Sequence, residues 1–281
     1  MHEHKAEVAI SDLVFPEGLR WHDGQLWFSD MWDFKLLRAD ADGTCHAVAE
    51  VPDRPSGLGF LTDGTPIVVS MANRQVYRVT NAGLEPFADL SSLATGDVND
   101  MIVADDGWVY VGNFGYDLFG GAEFAAADLV SISPHGAAGV AAEGLTFPNG
   151  MVLLDGGKTL VVAETWANRL TAFTRDVDGS LSDRRVFAEL GERTPDGLCS
   201  DAEDGVWVAS FATGEMVRVV DGGEATDIVN FPGKRAVACA LGGADGRQLY
   251  CATYAGAIED IHTRQRLGAI EVATVRVPAR T

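Results

Sequence analysis

Short apolar runs recur from one end of the chain to the other, each entered through a tight turn: Leu26-Trp27-Phe28 after Asp23-Gly24, Ile67-Val68-Val69 after Asp63-Gly64, and Val109-Tyr110-Val111 after Asp106-Gly107. The pattern continues with Leu160-Val161-Val162 after Gly156-Gly157, Val206-Trp207-Val208 after Asp204-Gly205, and Leu249-Tyr250-Cys251 after Asp245-Gly246. Runs this short, rich in β-branched and aromatic residues and bounded by Asp-Gly or Gly-Gly, predict strands joined by hairpins. A further strand is expected after each, at 35–38, 75–79, 129–132, 169–173, 216–219 and 270–275, with outer strands near 47–51, 85–87, 138–142, 185–187 and 226–229.

A second element recurs just ahead of each of these hairpins. It reads Phe15-Pro16-Glu17-Gly18-Leu19, Arg54-Pro55-Ser56-Gly57-Leu58, Asp97-Val98-Asn99-Asp100-Met101, Phe147-Pro148-Asn149-Gly150-Met151, Thr194-Pro195-Asp196-Gly197-Leu198 and, in degraded form, Arg235-Ala236-Val237-Ala238-Cys239. The centres at 17, 56, 99, 149, 196 and 237 lie 39, 43, 50, 47 and 41 residues apart, the length of a four-stranded propeller blade. The expected fold is therefore an all-β, six-bladed β-propeller with four-stranded blades, occupying residues 1–281 as a single domain. An open sandwich would need no such period. The last blade lacks an outer strand, whereas the chain begins with a spare β-compatible segment at 7–10, so an N-terminal strand is expected to close the ring and protect its edges.

Composition narrows the partners. Of the 281 residues, 47% are hydrophobic and 22% charged, ordinary for a chain that buries a large core. With 21 Lys and Arg against 41 Asp and Glu, the net charge of −20 repels phosphate backbones and anionic bilayers, so neither nucleic acid nor membrane is an expected partner. No apolar run approaches a membrane span and the first residues lack the layout of a secretion signal, which makes the cytoplasm the expected location. Cys45, Cys199, Cys239 and Cys251 form no C-x-x-C pair and have no His at zinc spacing, so they are expected as buried small hydrophobes; Cys239 and Cys251 could face each other across one hairpin, but no disulfide is expected in a cytosolic chain. The oligomeric state is left open.

Equivalent positions of a propeller converge on its axis, so the six repeat centres should ring one mouth of the channel. Glu17, Asn99, Asn149 and Asp196 fill four places, with Ser56 and Val237 in the others. Each alone is ordinary turn chemistry. Together they offer two carboxylates and two amides, the hard-oxygen set that suits one divalent cation: Ca²⁺ is favoured, with Mn²⁺, Mg²⁺ and Zn²⁺ as alternatives. Imidazole and thiolate are absent from the ring, so a dedicated four-ligand zinc site is less natural.

At these residues the chain resembles the family of gluconolactonases, senescence marker protein (regucalcin) and luciferin-regenerating enzyme, with diisopropylfluorophosphatase and paraoxonase as more distant propellers. The motifs are Pro16-Glu17-Gly18, Asn99-Asp100, Phe147-Pro148-Asn149-Gly150-Met151 and Pro195-Asp196-Gly197-Leu198, and the likeness runs nearly the whole length. It implies that Glu17, Asn149 and Asp196 bind a divalent metal, that Asn99 completes or borders the shell with a catalytic part, and that Asp196 activates water. Sugar-lactone hydrolases of the family tend to carry Arg two residues before the Asn of the third blade. Asp97 stands there in this chain, a carboxylate expected to disfavour anionic sugar acids.

The loops at that mouth hold Trp32, Phe114, Tyr116 and Trp166, an aromatic rim suited to a small-molecule substrate with an apolar or aromatic acyl group, and segment 115–127 is long enough to act as a lid. His262, in the loop 256–268, is a further candidate as a general acid or base near the substrate. Glu164 and Arg169 flank Trp166, most simply as an ion pair. The function expected is a divalent-metal-dependent hydrolase of lactones or related esters, favouring apolar or aromatic substrates over sugar lactones. A metal-dependent lyase or isomerase on the same scaffold, and a non-catalytic ligand-binding propeller, are the alternatives.

Overall fold

The computed structural model describes residues 1–280. Six antiparallel sheets are arranged around a central channel as a propeller. Their innermost strands are Pro16–His22, Pro55–Phe60, Val98–Val103, Pro148–Leu154, Pro195–Ser200 and Arg235–Gly242, numbered here blades 1 to 6. Every one of these strands opens on a copy of the sequence repeat. The hairpins follow as the turn pattern predicts: in blade 1, Gln25–Asp30, Lys35–Ala39 and Cys45–Glu50 succeed one another outward.

The repeat spells out how inner strands meet at the axis. In each blade the pairing of the inner strand with the next is broken at the repeat, between Glu17 and Arg20, Pro55 and Leu58, Val98 and Met101, Pro148 and Met151, Pro195 and Leu198, and Ala236 and Ala238. Such a bulge kinks the strand and re-aims a side chain that would otherwise pack between blades. The glycine after the centre serves close approach. A Cβ on Gly57 would lie 2.4 Å from the backbone nitrogen of Met101 in blade 3, and one on Gly150 would lie 2.5 Å from the carbonyl oxygen of Asp196 in blade 5. Neighbouring inner strands touch through these residues.

Ring closure is more elaborate than the pattern predicts. Ala6–Leu13 pairs with Gly268–Thr274 as the outer strand of blade 6, with Ala6 opposite Ala273 and Ile10 opposite Ile270, as expected. Ahead of it His2–His4 adds a fifth, parallel strand to blade 5, with His2 opposite Asp227 and His4 opposite Val229. Three residues with no apolar alternation gave no strand signal; the parallel pairing supplies it. Asp227 locks the latch, accepting hydrogen bonds from His4 (2.8 Å) and from Arg276 (3.0 and 2.9 Å).

Cys239 and Cys251 are buried cross-strand partners and all four cysteines are free thiols, but Cys199 is only partly buried and Cys45, on the outer strand of blade 1, is exposed rather than buried as expected. No helix among the described residues is long and apolar enough to cross a membrane.

Candidate functional site

The bulges deliver four of the six repeat centres to one mouth of the channel as a buried polar ring. Glu17, Asn99, Asn149 and Asp196 retain only 6%, 3%, 6% and 6% of their surface, yet all four line a single cavity of about 120 Å³. Polar groups on the neighbouring strand ends fix how the chain enters the ring. Asp30 accepts from the backbone N–H of Phe15 at 2.7 Å and of Val14 at 3.0 Å, just ahead of Glu17. Glu164 does the same for Thr146 at 2.7 Å, ahead of Asn149. Both carboxylates were invisible as supports in the sequence, because nothing local marks a residue at the end of one strand as the clamp of another. The expected ion pair of Glu164 with Arg169 is present at 2.9 Å, and Arg184 joins it at 3.2 Å.

Within the ring, Asn149 donates from Nδ2 to Asp196 Oδ1 at 2.5 Å and to Thr165 Oγ1 at 3.3 Å. Ser56 donates to Asn99 Oδ1 at 3.3 Å, whereas Asn99 Nδ2 is buried with no partner. Burial, reinforced by the charges of Asp196 and Asp100, pushes the Glu17 carboxyl well above its usual range. Burial and Asp100 push Asp196 up likewise, against the lowering hydrogen bond from Asn149. Asp100 is paired with Arg20 at 2.9 Å, which leaves Glu17 and Asp196 as two carboxylates held out of water with no ion-pair partner of their own among the described residues, the electrostatic condition of a cation site. Among the described residues no cluster of three or more His, Cys, Asp or Glu side chains is arranged to hold a metal. The donor set at this mouth differs in kind, being half amide.

Above the ring the wall is apolar. Trp32, Phe114 and Trp166 line the cavity as expected, joined by Phe15, Phe147, Phe119 and Ile261 among others. Phe114 stacks on Phe147 at 4.4 Å between centroids. Tyr116 stands behind this wall, its hydroxyl accepting from Trp166 Nε1 at 3.1 Å. Phe119, from the segment between Asn113 and Ala127, meets the edge of Trp32 at 5.7 Å and partly roofs the cavity. A volume of about 120 Å³ is too little for a drug-sized ligand unless this roof moves.

Two candidates sit elsewhere. His262 is exposed on the 3₁₀ turn Ile258–Thr263; the faces of that turn reaching the cavity carry Ile258 and Ile261, so imidazole is not brought to the ring. Asp97 lies outside the cavity lining and forms an ion pair with Arg54 of blade 2. The Arg54 guanidinium covers Phe119 at 4.3 Å and Trp32 at 5.2 Å. Because the pair is neutral, Asp97 presents no unpaired charge to a ligand, and the repulsion of anions expected from its sequence position does not follow. The signal lay in the repeat register: Arg54 and Asp97 both stand two places before the centres of successive repeats, positions that converge when the blades close.

Comparison with known proteins agrees with the motifs. Residues 15–255 match the model of the SMP-30/Gluconolactonase/LRE-like region. A lactonase, drp35, of Staphylococcus epidermidis is 26% identical over 227 residues, covering 75% of this chain and 68% of that protein. Regucalcin of Danio rerio is 36% identical over 91 residues, 31% of each chain. A crystal structure of regucalcin, a calcium-binding protein from Agrobacterium tumefaciens, superposes with a TM-score of 0.83 over 100% of this chain and 97% of that one, at 20% identity.

Proposed function

Because the chain belongs to the SMP-30/gluconolactonase/LRE-like family, we propose that it is a divalent-metal-dependent hydrolase of lactones or related esters, with Ca²⁺ as the favoured metal. The observation that carries this is the buried ring itself: Glu17 and Asp196, two carboxylates without a compensating cation of their own, sit beside two amides at the floor of an apolar well. The residues fit such an ion. Glu17, Asp196 and the Oδ1 of Asn149, whose Nδ2 is already committed to Asp196 and Thr165, would hold it. A half-turn of the Asn99 amide gives its orphaned Nδ2 the Ser56 oxygen and presents Oδ1 to the cavity, completing the set. A bound divalent cation supplies Lewis-acid polarisation of a carbonyl and lowers the pKa of water.

The chain's own groups do the rest. Asp196 would be the base that takes a proton from water, a role that requires the water to share the metal's field, since a metal-bound carboxylate is by itself a weak base. Trp32, Phe114 and Trp166 exclude solvent and bind an apolar or aromatic acyl group, at roughly 25 cal/mol per Å² covered. This supports apolar lactones and esters over polyhydroxylated sugar lactones, whose hydroxyls find few partners on that wall.

The test is a panel of apolar lactones, aryl esters, gluconolactone and phosphotriesters, assayed after chelation and after return of Ca²⁺, Mn²⁺, Mg²⁺ or Zn²⁺. Metal-restored ring opening with ¹⁸O from solvent in the product is the expected result. Exchange of a substrate C–H for deuterium without ring opening would turn the assignment to a lyase or isomerase. Faster turnover of gluconolactone than of every apolar lactone would end the selectivity claim.

A further inference from the structure

The residues two places before the repeat centres form a second layer, outward of the ring: Phe15, Arg54, Asp97, Phe147, Thr194 and Arg235. Five of the six are accounted for. Phe15 and Phe147 line the cavity, Arg54 and Asp97 neutralise each other, and Thr194 accepts from the backbone N–H of Ala212 at 2.8 Å. Arg235 is the remainder. Its backbone opens the inner strand of blade 6, opposite Tyr254, and its guanidinium, outside the cavity lining like Asp97, lies 4.8 Å from the centroid of Phe211, a ring that does line the cavity. The side chain is half-buried, and among the described residues it makes no ion pair and no hydrogen bond.

Blade 6 stands between blade 5, which supplies Phe211 and Asp196, and blade 1, which supplies Phe15 and Glu17. Other charges near the ring cancel: Arg54 with Asp97, Asp100 with Arg20 at 2.9 Å on the side of the ring away from this cavity, and the two ring carboxylates with a divalent cation once it binds. What remains on the cationic side is one guanidinium on an aromatic face, and among the described residues it is paired with neither Glu259 nor Asp260 of the turn that carries the cavity-lining Ile258 and Ile261. Cation–π contact holds such a group in place while leaving its in-plane N–H donors free for an anion, and a planar fork matches a carboxylate.

We propose that Arg235 is a specificity-determining residue that anchors a carboxylate borne by the substrate, so that the preferred ligand is an apolar or aromatic lactone or ester carrying one carboxylate away from the reacting carbonyl. The proposal builds on the hydrolase assignment, and it is tested first without turnover. Phenylacetate and phenylacetamide are titrated against the Ca²⁺-loaded protein, read by calorimetry, for the wild type and for Arg235→Gln and Arg235→Lys. Phenylacetate should bind the wild type more tightly than the amide, lose about tenfold in Arg235→Gln and recover only in part in Arg235→Lys, which keeps the charge without the planar fork, while the amide is unmoved by either substitution. Equal weakening of both ligands, or no preference for the carboxylate in the wild type, overturns the assignment of Arg235. Turnover is then compared for a phenyl-substituted lactone with and without a carboxylate substituent. Hydrolysis that ignores both the carboxylate and Arg235→Gln sinks the inference and leaves the hydrolase standing, whereas Arg235-dependent binding with no ring opening of any lactone keeps the anchor and sinks the hydrolase.

Discussion

Asp196 combines two demands that a substitution can separate. Its carboxylate is one of the oxygen donors of the ring and also the group placed to take a proton, and only the first survives conversion to an amide. Asp196→Asn should therefore retain Ca²⁺, with affinity lowered, yet lose turnover by about 10²-fold or more. Metal content measured beside kcat decides the matter: a metal-loaded variant with ordinary activity would remove Asp196 from the base role. Asn99 shows how much residue type alone conveys. The amide was legible as a candidate donor from its place in the repeat, but its unsatisfied Nδ2 and its contact with Ser56 depend on how two blades approach.

At the scale of the element, the inner strand is built to bend. The break in pairing turns four of the repeat centres into the cavity, and where a glycine follows the centre its absent side chain lets the next blade close in. Gly150→Ala places a methyl group 2.5 Å from the Asp196 carbonyl oxygen, against backbone that cannot yield cheaply. We expect a loss of about 2 kcal/mol in chemical denaturation, together with weaker Ca²⁺ binding, since the strand that moves carries Asp196. Gly139→Ala, on an outer strand with nothing within 4 Å of the added carbon, is the control and should change little. Equal effects of the two would mean that close approach at the axis is not what the glycine is for.

For the whole molecule, closure depends on the first thirteen residues, which cover the outer edges of blades 5 and 6 in turn. Deleting residues 1–10 should lower the melting temperature and promote aggregation through the exposed edges; a truncated chain that melts like the full one would contradict closure by this latch. The latch also has a pH signature. Burial would raise the Asp227 carboxyl, but hydrogen bonds from Arg276 and His4 outweigh it and hold the group far below the ordinary carboxylate range. A folded-state pKa depressed in this way adds stability above the unfolded value, near 3.9, and loses it as pH falls toward the folded one. The gap in melting temperature between wild type and Asp227→Asn should accordingly be full at neutral pH and shrink below about pH 4. A gap that stays constant from neutral pH down to about pH 3 would remove Asp227 from the acid response.

The sequence by itself determined the blade count, the strand order within each blade, the N-terminal closure of blade 6 and the four polar ring positions. All are local or periodic properties, written in turn residues, in alternation and in a motif repeated at blade length. The tertiary structure alone decided which polar residues meet across blades. Arg54 is 43 positions from Asp97 and cancels its charge, Asp30 and Glu164 clamp strand entries from the far end of a hairpin, and His2–His4 joins a strand more than two hundred residues away. The period aligns equivalent positions but does not encode these encounters. They arise because six wedges, similar in backbone and different in side chain, close into a ring, and there one side chain's charge or orphaned donor acquires its partner or is left, as in Arg235, without one.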